Sequence, residues 1–100
     1  MSARKLNFKK MLNGDASKKN AEIIRNALEN ILAHDENIEL DFTNCQINPF
    51  LAGEVFAALA KSMGEEEFWK RILFNNIDER NAGLIKVAIR DRNVDSRYFG

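Results

Sequence analysis

This chain of 100 residues contains one cysteine, one proline and no long apolar run, and each scarcity excludes a class of protein. Cys45 has no second cysteine with which to form an intramolecular disulfide, so the fold must be stable without cross-links, as in a reducing compartment. The apolar runs are too short for a membrane span, and the basic N-terminus lacks the apolar segment of a secretory signal. The composition therefore predicts a cytoplasmic protein that does not enter a membrane.

The residues that are present are those of a folded domain. Apolar residues make up 45% of the chain and charged residues 30%, which is the ordinary balance of a globular protein. Two cores within this length would each bury too little surface to offset chain entropy. We therefore expect residues 1–100 to form a single domain, with a frayed, flexible tail at 93–100.

The net charge of zero conceals a segregation of charge along the chain. Residues 1–20 carry a net charge of +5, residues 21–67 carry −8 and residues 68–100 carry +3. Basic termini can bind a polyanion, or they can fold back onto the acidic middle of the same chain. We favour the second interpretation.

Apolar spacing predicts alternating strands and helices. Three- and four-residue spacing indicates a helix that is capped at Asp15 or Ser17 and ends near His34, whereas 38–42 alternates like a strand with one buried face. The other predictions are an edge strand over 5–12 within the segment 1–14, a helix from Pro49 to Gly64, a short helix from Glu65, an interior strand over 72–74 and a helix from Asp78 to about Arg92.

Strands that are separated by helices imply right-handed crossovers onto a partly parallel sheet. Helices should cover at least one face of that sheet. The fold class predicted from this pattern is α/β.

Few residues in the chain have the pattern of a catalytic or metal site. His34, the single histidine, lies at a predicted helix end, and the length of a strand separates it from Cys45, so a thiol–imidazole pair is not expected. Asp41 is the best candidate among the single acids, because it lies near the carboxyl end of a strand, where ligands bind in open α/β sheets. Acids that alternate with apolar residues, however, usually form a solvated strand face. There is no glycine-rich phosphate loop and no metal-ligand spacing. We therefore predict a non-enzymatic protein with no catalytic residue, metal or cofactor.

Basic residues lie beside aromatic residues at both ends of the chain. This combination is able to follow a phosphate backbone and stack bases, so a nucleic-acid accessory role is one alternative function. The isoelectric point of about 6.6 argues against it, because domains of that kind are strongly basic. The residues concerned are Arg4, Lys5, Phe8, Lys9 and Lys10 at one end and Arg90, Arg92, Arg97, Tyr98 and Phe99 at the other.

The stretch 38–92 resembles the STAS-like domain family of unknown function, a bacterial group related to anti-sigma-factor antagonists. The specific parts are the strand that ends Leu40-Asp41-Phe42, Phe50 at a helix start, and the run from Arg71 to Asn75. The resemblance implies a small mixed sheet of three to four strands covered by helices. It also implies a regulatory protein that signals by docking on another protein, such as a serine kinase of the histidine-kinase-like ATPase type.

The expected docking surface is the loop Thr43 to Leu51 with the start of the following helix. Phosphoregulated relatives carry a serine or threonine there, whereas this chain has Asn48-Pro49-Phe50 and no hydroxyl nearer than Thr43. Alternatively, Asn44 and Asn48 only form the turn and cap, and Phe50 belongs to the core. The residues predicted to contact a partner are Asn44, Gln46 and Asn48 through hydrogen bonds, and Phe50 or Leu51 as an apolar anchor.

A second alternative function is assembly with further copies of the same chain. The predicted edge from Lys5 to Leu12, or the apolar pair Phe68-Trp69, would then pair between subunits.

Overall fold

Strands and helices alternate along the chain, as an α/β fold requires. The computed structural model describes the backbone of residues 3–34 and 36–99, and the side chains of these residues as far as Asp91. The elements are β1 (Ala3–Asn7), α1 (Phe8–Leu12), α2 (Lys18–Ala33), β2 (Asn37–Asp41), α3 (Pro49–Leu51), a π-helical segment (Ala52–Ala57), α4 (Ala58–Met63), α5 (Glu65–Arg71), β3 (Ile72–Asn75) and α6 (Glu79–Phe99).

The three strands form one open sheet in the order β1-β2-β3, and both pairings are parallel. The α/β class is therefore confirmed, but the expected mixture of strand directions is not found among the described residues. The physical reason is that every connection between strands is helical, and a helical crossover returns the chain in the same direction.

Only one face of this sheet is packed against helices. Ile38 and Leu40 of β2 are buried on the packed face, as the alternating pattern of 38–42 predicts, and Ile72 of β3 is buried beside Ile38. The opposite face carries a register row of Lys5, Glu39 and Leu73, in which the Lys5 ammonium lies 3.9 Å from the Glu39 carboxylate. Parallel sheets are normally covered on both faces, so this half-open sheet is unusual.

The first strand is shorter than the sequence indicates. The prediction of one strand from Lys5 to Leu12 is wrong beyond Asn7, where the chain turns into α1. The Asn7 side chain caps this helix by accepting a hydrogen bond of 2.9 Å from the Lys10 N–H, and Phe8 then becomes fully buried.

The third strand and the last helix also differ from expectation. β3 lies at the edge of the sheet rather than in its interior, and Leu73 is 55% exposed. Asp78 caps α6 as predicted, since its carboxylate accepts the Asn81 N–H at 2.8 Å. The backbone helix continues to Phe99 instead of ending near Arg92, and Gly100 lies outside the described residues.

The helix over residues 49–63, which we call the central helix, comprises α3, the π-helical segment and α4. It contacts both α2 and α6, and its apolar side chains Val55, Phe56 and Leu59 are buried in the core. In the core, the rings of Phe8 and Phe42 stack with their centroids 4.9 Å apart. Phe56 of the central helix packs against both rings.

A single arginine joins α2, β2 and α5. The Arg71 guanidinium donates to the carbonyl of Leu32 at 2.9 Å and to that of Glu36 at 2.8 Å. The Leu32 carbonyl lies in the last turn of α2, where carbonyls lack their usual helical partner, and the Glu36 carbonyl lies just before β2. Arg71 therefore completes the turn from α2 into the central strand.

No helix of the described part of the chain is long and apolar enough to span a membrane.

Candidate functional site

The loop over residues 42–48, which we call the β2 loop, connects the carboxyl end of the central strand to the central helix. Ligands and partners of open α/β proteins commonly bind at this end of the sheet. Along the loop, buried and exposed residues alternate: Cys45 and Ile47 are buried, whereas Asn44, Gln46 and Asn48 are exposed. The loop thus has an inner side that belongs to the core and an outer side that faces solvent.

The inner side of the β2 loop is held by one buried amide from α6. Asn81 is 1% exposed, and its Oδ1 accepts the Ile47 N–H at 3.1 Å. Its Nδ2 donates to the Cys45 carbonyl at 2.7 Å. Buried backbone groups must find partners, and this side chain supplies both a donor and an acceptor. Asn81 therefore fixes the loop from beneath.

A polar network holds Gln46 on the outer side. Gln46 donates from Nε2 to Asp78 at 2.9 Å and accepts at Oε1 from Arg80 at 2.9 Å. Arg80 also donates to the Ile47 carbonyl at 2.9 Å. The hydrogen bond from the Asn81 N–H, followed by that from Gln46, lowers the pKa of Asp78. Both the donor and the acceptor of the Gln46 side-chain amide are thus hydrogen-bonded within the chain, so Gln46 helps to hold the loop in place.

The start of the β2 loop is a turn built on Asp41. Its Oδ1 accepts the Thr43 hydroxyl at 2.7 Å, the Thr43 N–H at 3.0 Å and the Asn76 side chain at 3.1 Å. These hydrogen bonds, led by that of the Thr43 side chain, lower the pKa of Asp41. Asn44 follows with a left-handed backbone, φ 53°, which asparagine tolerates better than most residues.

The end of the loop decides which apolar side chain reaches solvent. The Asn48 side chain caps the central helix by accepting the Leu51 N–H at 2.8 Å, as the Asn-Pro pattern predicts. Phe50 is 41% exposed, whereas Leu51 is 2% exposed. Of the two candidate anchors, only Phe50 is therefore on the surface, and the alternative that places Phe50 in the core is wrong.

A hollow of about 370 Å³ lies between the β2 loop and the segment that follows α1. Leu12, Ile47 and Leu51 contribute apolar lining, and Lys9 and Asp15 contribute charge. Cys45 also lines it, and burial raises the pKa of this thiol. Leu51, predicted as a contact residue, thus belongs to the lining of the hollow rather than to an exposed anchor.

Two residues that organise the site, Arg80 and Asn81, were not predicted from the sequence. A usable signal exists for Asn81, because it lies four residues before the buried Ile85 on the same face of α6. A polar residue at a core position of an amphipathic helix indicates a buried hydrogen-bonded group.

The lone histidine has the structural position that the sequence predicts. His34 forms the C-cap of α2, and its Nδ1 lies 2.7 Å from the Asn30 carbonyl.

No family model, no curated protein and no solved structure matches this chain. The STAS-like resemblance consequently stays a prediction based on the short motifs quoted above.

We predict that Asn81→Ala lowers the free energy of unfolding by about 1–3 kcal/mol, because it leaves the Ile47 N–H and the Cys45 carbonyl buried without partners. Chemical denaturation monitored by circular dichroism provides the measurement. Asn26→Ala, on the exposed face of α2, is the matched control and should not destabilise the protein. Equal unfolding energies for wild type and Asn81→Ala would contradict the assignment.

Proposed function

We propose that the chain is a non-catalytic, STAS-like regulatory module that docks on a protein partner through the outer side of the β2 loop and the start of the central helix. The observation that carries this proposal is the contrast between the two sides of the loop. Its inner side is tied to α6 by Asn81, while Asn44, Asn48 and Phe50 are exposed on the outer side.

A preorganised loop favours binding because little conformational entropy is lost when the complex forms. Asn81 and Arg80 of α6 hold the loop in the absence of a partner. Asn81 accepts the Ile47 N–H, and Arg80 donates to the Gln46 side chain and to the Ile47 carbonyl. Phe50 supplies an aromatic side chain of the kind that anchors interfaces, within a polar surround of asparagine amides. The family resemblance supports a histidine-kinase-like ATPase as the partner.

The chemistry of the site favours binding over catalysis. Cys45 is buried and its pKa is raised, which disfavours the thiolate that a nucleophile requires. The pKa values of Asp41 and Asp78 are lowered, whereas a general base works best with a pKa near the working pH. These features support a non-enzymatic role.

The nucleic-acid alternative receives less support from the N-terminal segment. Phe8 is fully buried and has no face on which a base can stack. Arg4 pairs with Glu36 at 3.0 Å, and Lys5 lies near Glu39, so part of the basic terminus is neutralised by the acidic middle of the chain. The side chains of Arg92, Arg97, Tyr98 and Phe99 lie outside the described residues.

We predict that Phe50→Ala weakens binding to the partner at least about tenfold, a loss typical of removing an aromatic anchor. Phe50 is 41% exposed, so its truncation also removes some packing, and circular dichroism should show that the variant stays folded. The test is a pull-down with the wild-type chain from its native host, followed by calorimetric titration of the wild-type and variant chains against a histidine-kinase-like ATPase recovered in it.

Ile23→Ala is the matched control, because Ile23 is 56% exposed on α2, outside the proposed docking surface. It should bind as tightly as wild type. Equal affinity of Phe50→Ala and wild type would exclude Phe50 as an anchor of the proposed surface.

We also predict that no kinase phosphorylates residues 48–50, because these side chains offer no hydroxyl. Phosphate on Thr43 is disfavoured as well. It would break the Thr43 hydrogen bond to Asp41 and place a second negative charge beside that carboxylate. Intact-mass analysis and peptide mapping of the protein from its native host should show an unmodified loop, and stoichiometric phosphate on Thr43 would show that the loop carries a switch.

A further inference from the structure

The hollow beside the β2 loop lies between two segments that follow neighbouring strands of the sheet. One wall is the β2 loop, and the other includes the segment 13–17, which connects α1 to α2 and which we call the α1 loop. Both loops lie beyond the carboxyl ends of the parallel strands β1 and β2, the end at which open α/β proteins bind ligands. The volume of about 370 Å³ is at the small end of the range of ligand sites.

Each wall of the hollow is held by one asparagine side chain. Asn81 of α6 bonds the backbone of the β2 loop, as described above. Asn20, in the first turn of α2, uses its two donors on the α1 loop and its approach: Nδ2 donates to the Leu12 carbonyl at 3.1 Å and to the Asp15 carbonyl at 2.6 Å. The hollow therefore keeps its shape without a ligand, which lowers the entropic cost of filling it.

The base of the hollow is apolar. The side chains that form it belong to the core and are at most 9% exposed, namely Leu12, Cys45, Ile47 and Leu51. A ligand with an apolar body gains free energy on this base, because it displaces water from apolar surface. A fully hydrated ion has no such gain.

The two walls differ in charge. The segment 8–19 contains four lysines and one aspartate, a net charge of +3, whereas 42–51 contains no charged residue. Behind the β2 loop, Asp78 and Arg80 carry opposite charges, and both are bonded to Gln46. The charge around the hollow is therefore positive and comes from the side of α1 and the α1 loop.

Of the two charged residues that line the hollow, only the cation is available to a ligand. Asp15 is engaged by its own loop, since its Oδ1 accepts the Ser17 N–H at 2.9 Å. Lys9 forms no ion pair with any residue that the structure describes. Burial raises the pKa of the Cys45 thiol and the charge of Lys9 opposes this rise, so the field of the ammonium reaches the base of the hollow.

We propose that the hollow is a binding site for a small amphipathic organic acid, whose apolar body covers the base and whose carboxylate faces the Lys9 ammonium. The positive rim selects an acid over an amine, and the apolar base selects an acid with a hydrocarbon body over a small hydrated one. This site does not rest on the function proposed for the outer side of the β2 loop, because its base is formed by the inner side and its charge by α1.

Three probes test the proposal on the wild-type chain, in about 0.15 M salt to screen distant charges. Octanoate, below its micelle-forming concentration, should bind saturably and shift the backbone amide resonances of Gly14, Cys45 and Ile47. It should also slow alkylation by iodoacetamide of Cys45, the single cysteine. Octylamine, which lacks the negative charge, and acetate, which lacks the apolar body, should bind much more weakly.

The same titrations can overturn the proposal without any variant. Octylamine that binds as tightly as octanoate would exclude selection of an acid, and acetate that binds as tightly would exclude a role for the apolar base. Octanoate that does not saturate, or that shifts only amides outside the hollow, would show that the hollow is not the site.

Lys9→Met should raise the dissociation constant for octanoate about three- to fivefold, as expected for the loss of a solvent-exposed charge pair. Lys10→Met is the matched control, because Lys10 is the adjacent exposed lysine of α1 but does not line the hollow, and it should bind octanoate like wild type. Circular dichroism verifies that both variants are folded. Equal octanoate affinity of Lys9→Met and wild type would overturn the pairing of the carboxylate with Lys9.

Discussion

The hydrogen bonds of the Asn81 side chain are the constraint on which the β2 loop depends. A loop that enters the core carries backbone groups that no strand can satisfy, and each one would cost free energy if it stayed without a partner. Asn81 meets both demands, at the Ile47 N–H and the Cys45 carbonyl. With Cys45 and Ile47 directed inward, Gln46 and Asn48 are directed outward, and the central helix begins immediately afterwards.

The arrangement of the helices explains why the two faces of the sheet differ in polarity. The central helix contacts α2 and α6, and the core that they form lies on one face of a three-stranded sheet. The other face carries basic, acidic and apolar side chains in one register row, formed by Lys5, Glu39 and Leu73. One end of this layered structure thus displays the β2 loop, while one edge displays the uncharged strand β3.

Much of the fold could be predicted from local patterns. Ser17, Asn48 and Asp78 act as helix caps, as their sequence contexts indicate, because capping depends on residues only two or three positions apart. The parallel strands followed from the helical spacers between them. Two elements were predicted wrongly. The apolar spacing over 5–12 also fits an edge strand, and the cap at Asn7 that starts α1 was overlooked although it is local. The apolar run 72–74 resembles an interior strand, but Phe74 packs against Trp69 of α5 while β3 stays at the edge of the sheet, and only tertiary structure shows this.

The position of the β2 loop in the chain was predictable, but its contacts were not. The loop and its exposed asparagines follow from the order of strand, turn and helix cap. The local sequence cannot show which of Phe50 and Leu51 is buried, because both residues follow the same helix cap. The contacts of Asn81 join residues more than thirty positions apart, and only the packing of α6 against the central helix brings them together.

Amide hydrogen exchange at Ile47 tests the central claim most directly. If the Asn81 side chain holds the loop, the Ile47 N–H should exchange slowly, with protection close to that of the Leu40 amide in the central strand. The backbone N–H of Gln46, an exposed residue of the same loop, provides the internal reference. Exchange at Ile47 as fast as at Gln46 would show that the loop opens freely, and it would contradict the account of a surface preorganised by Asn81.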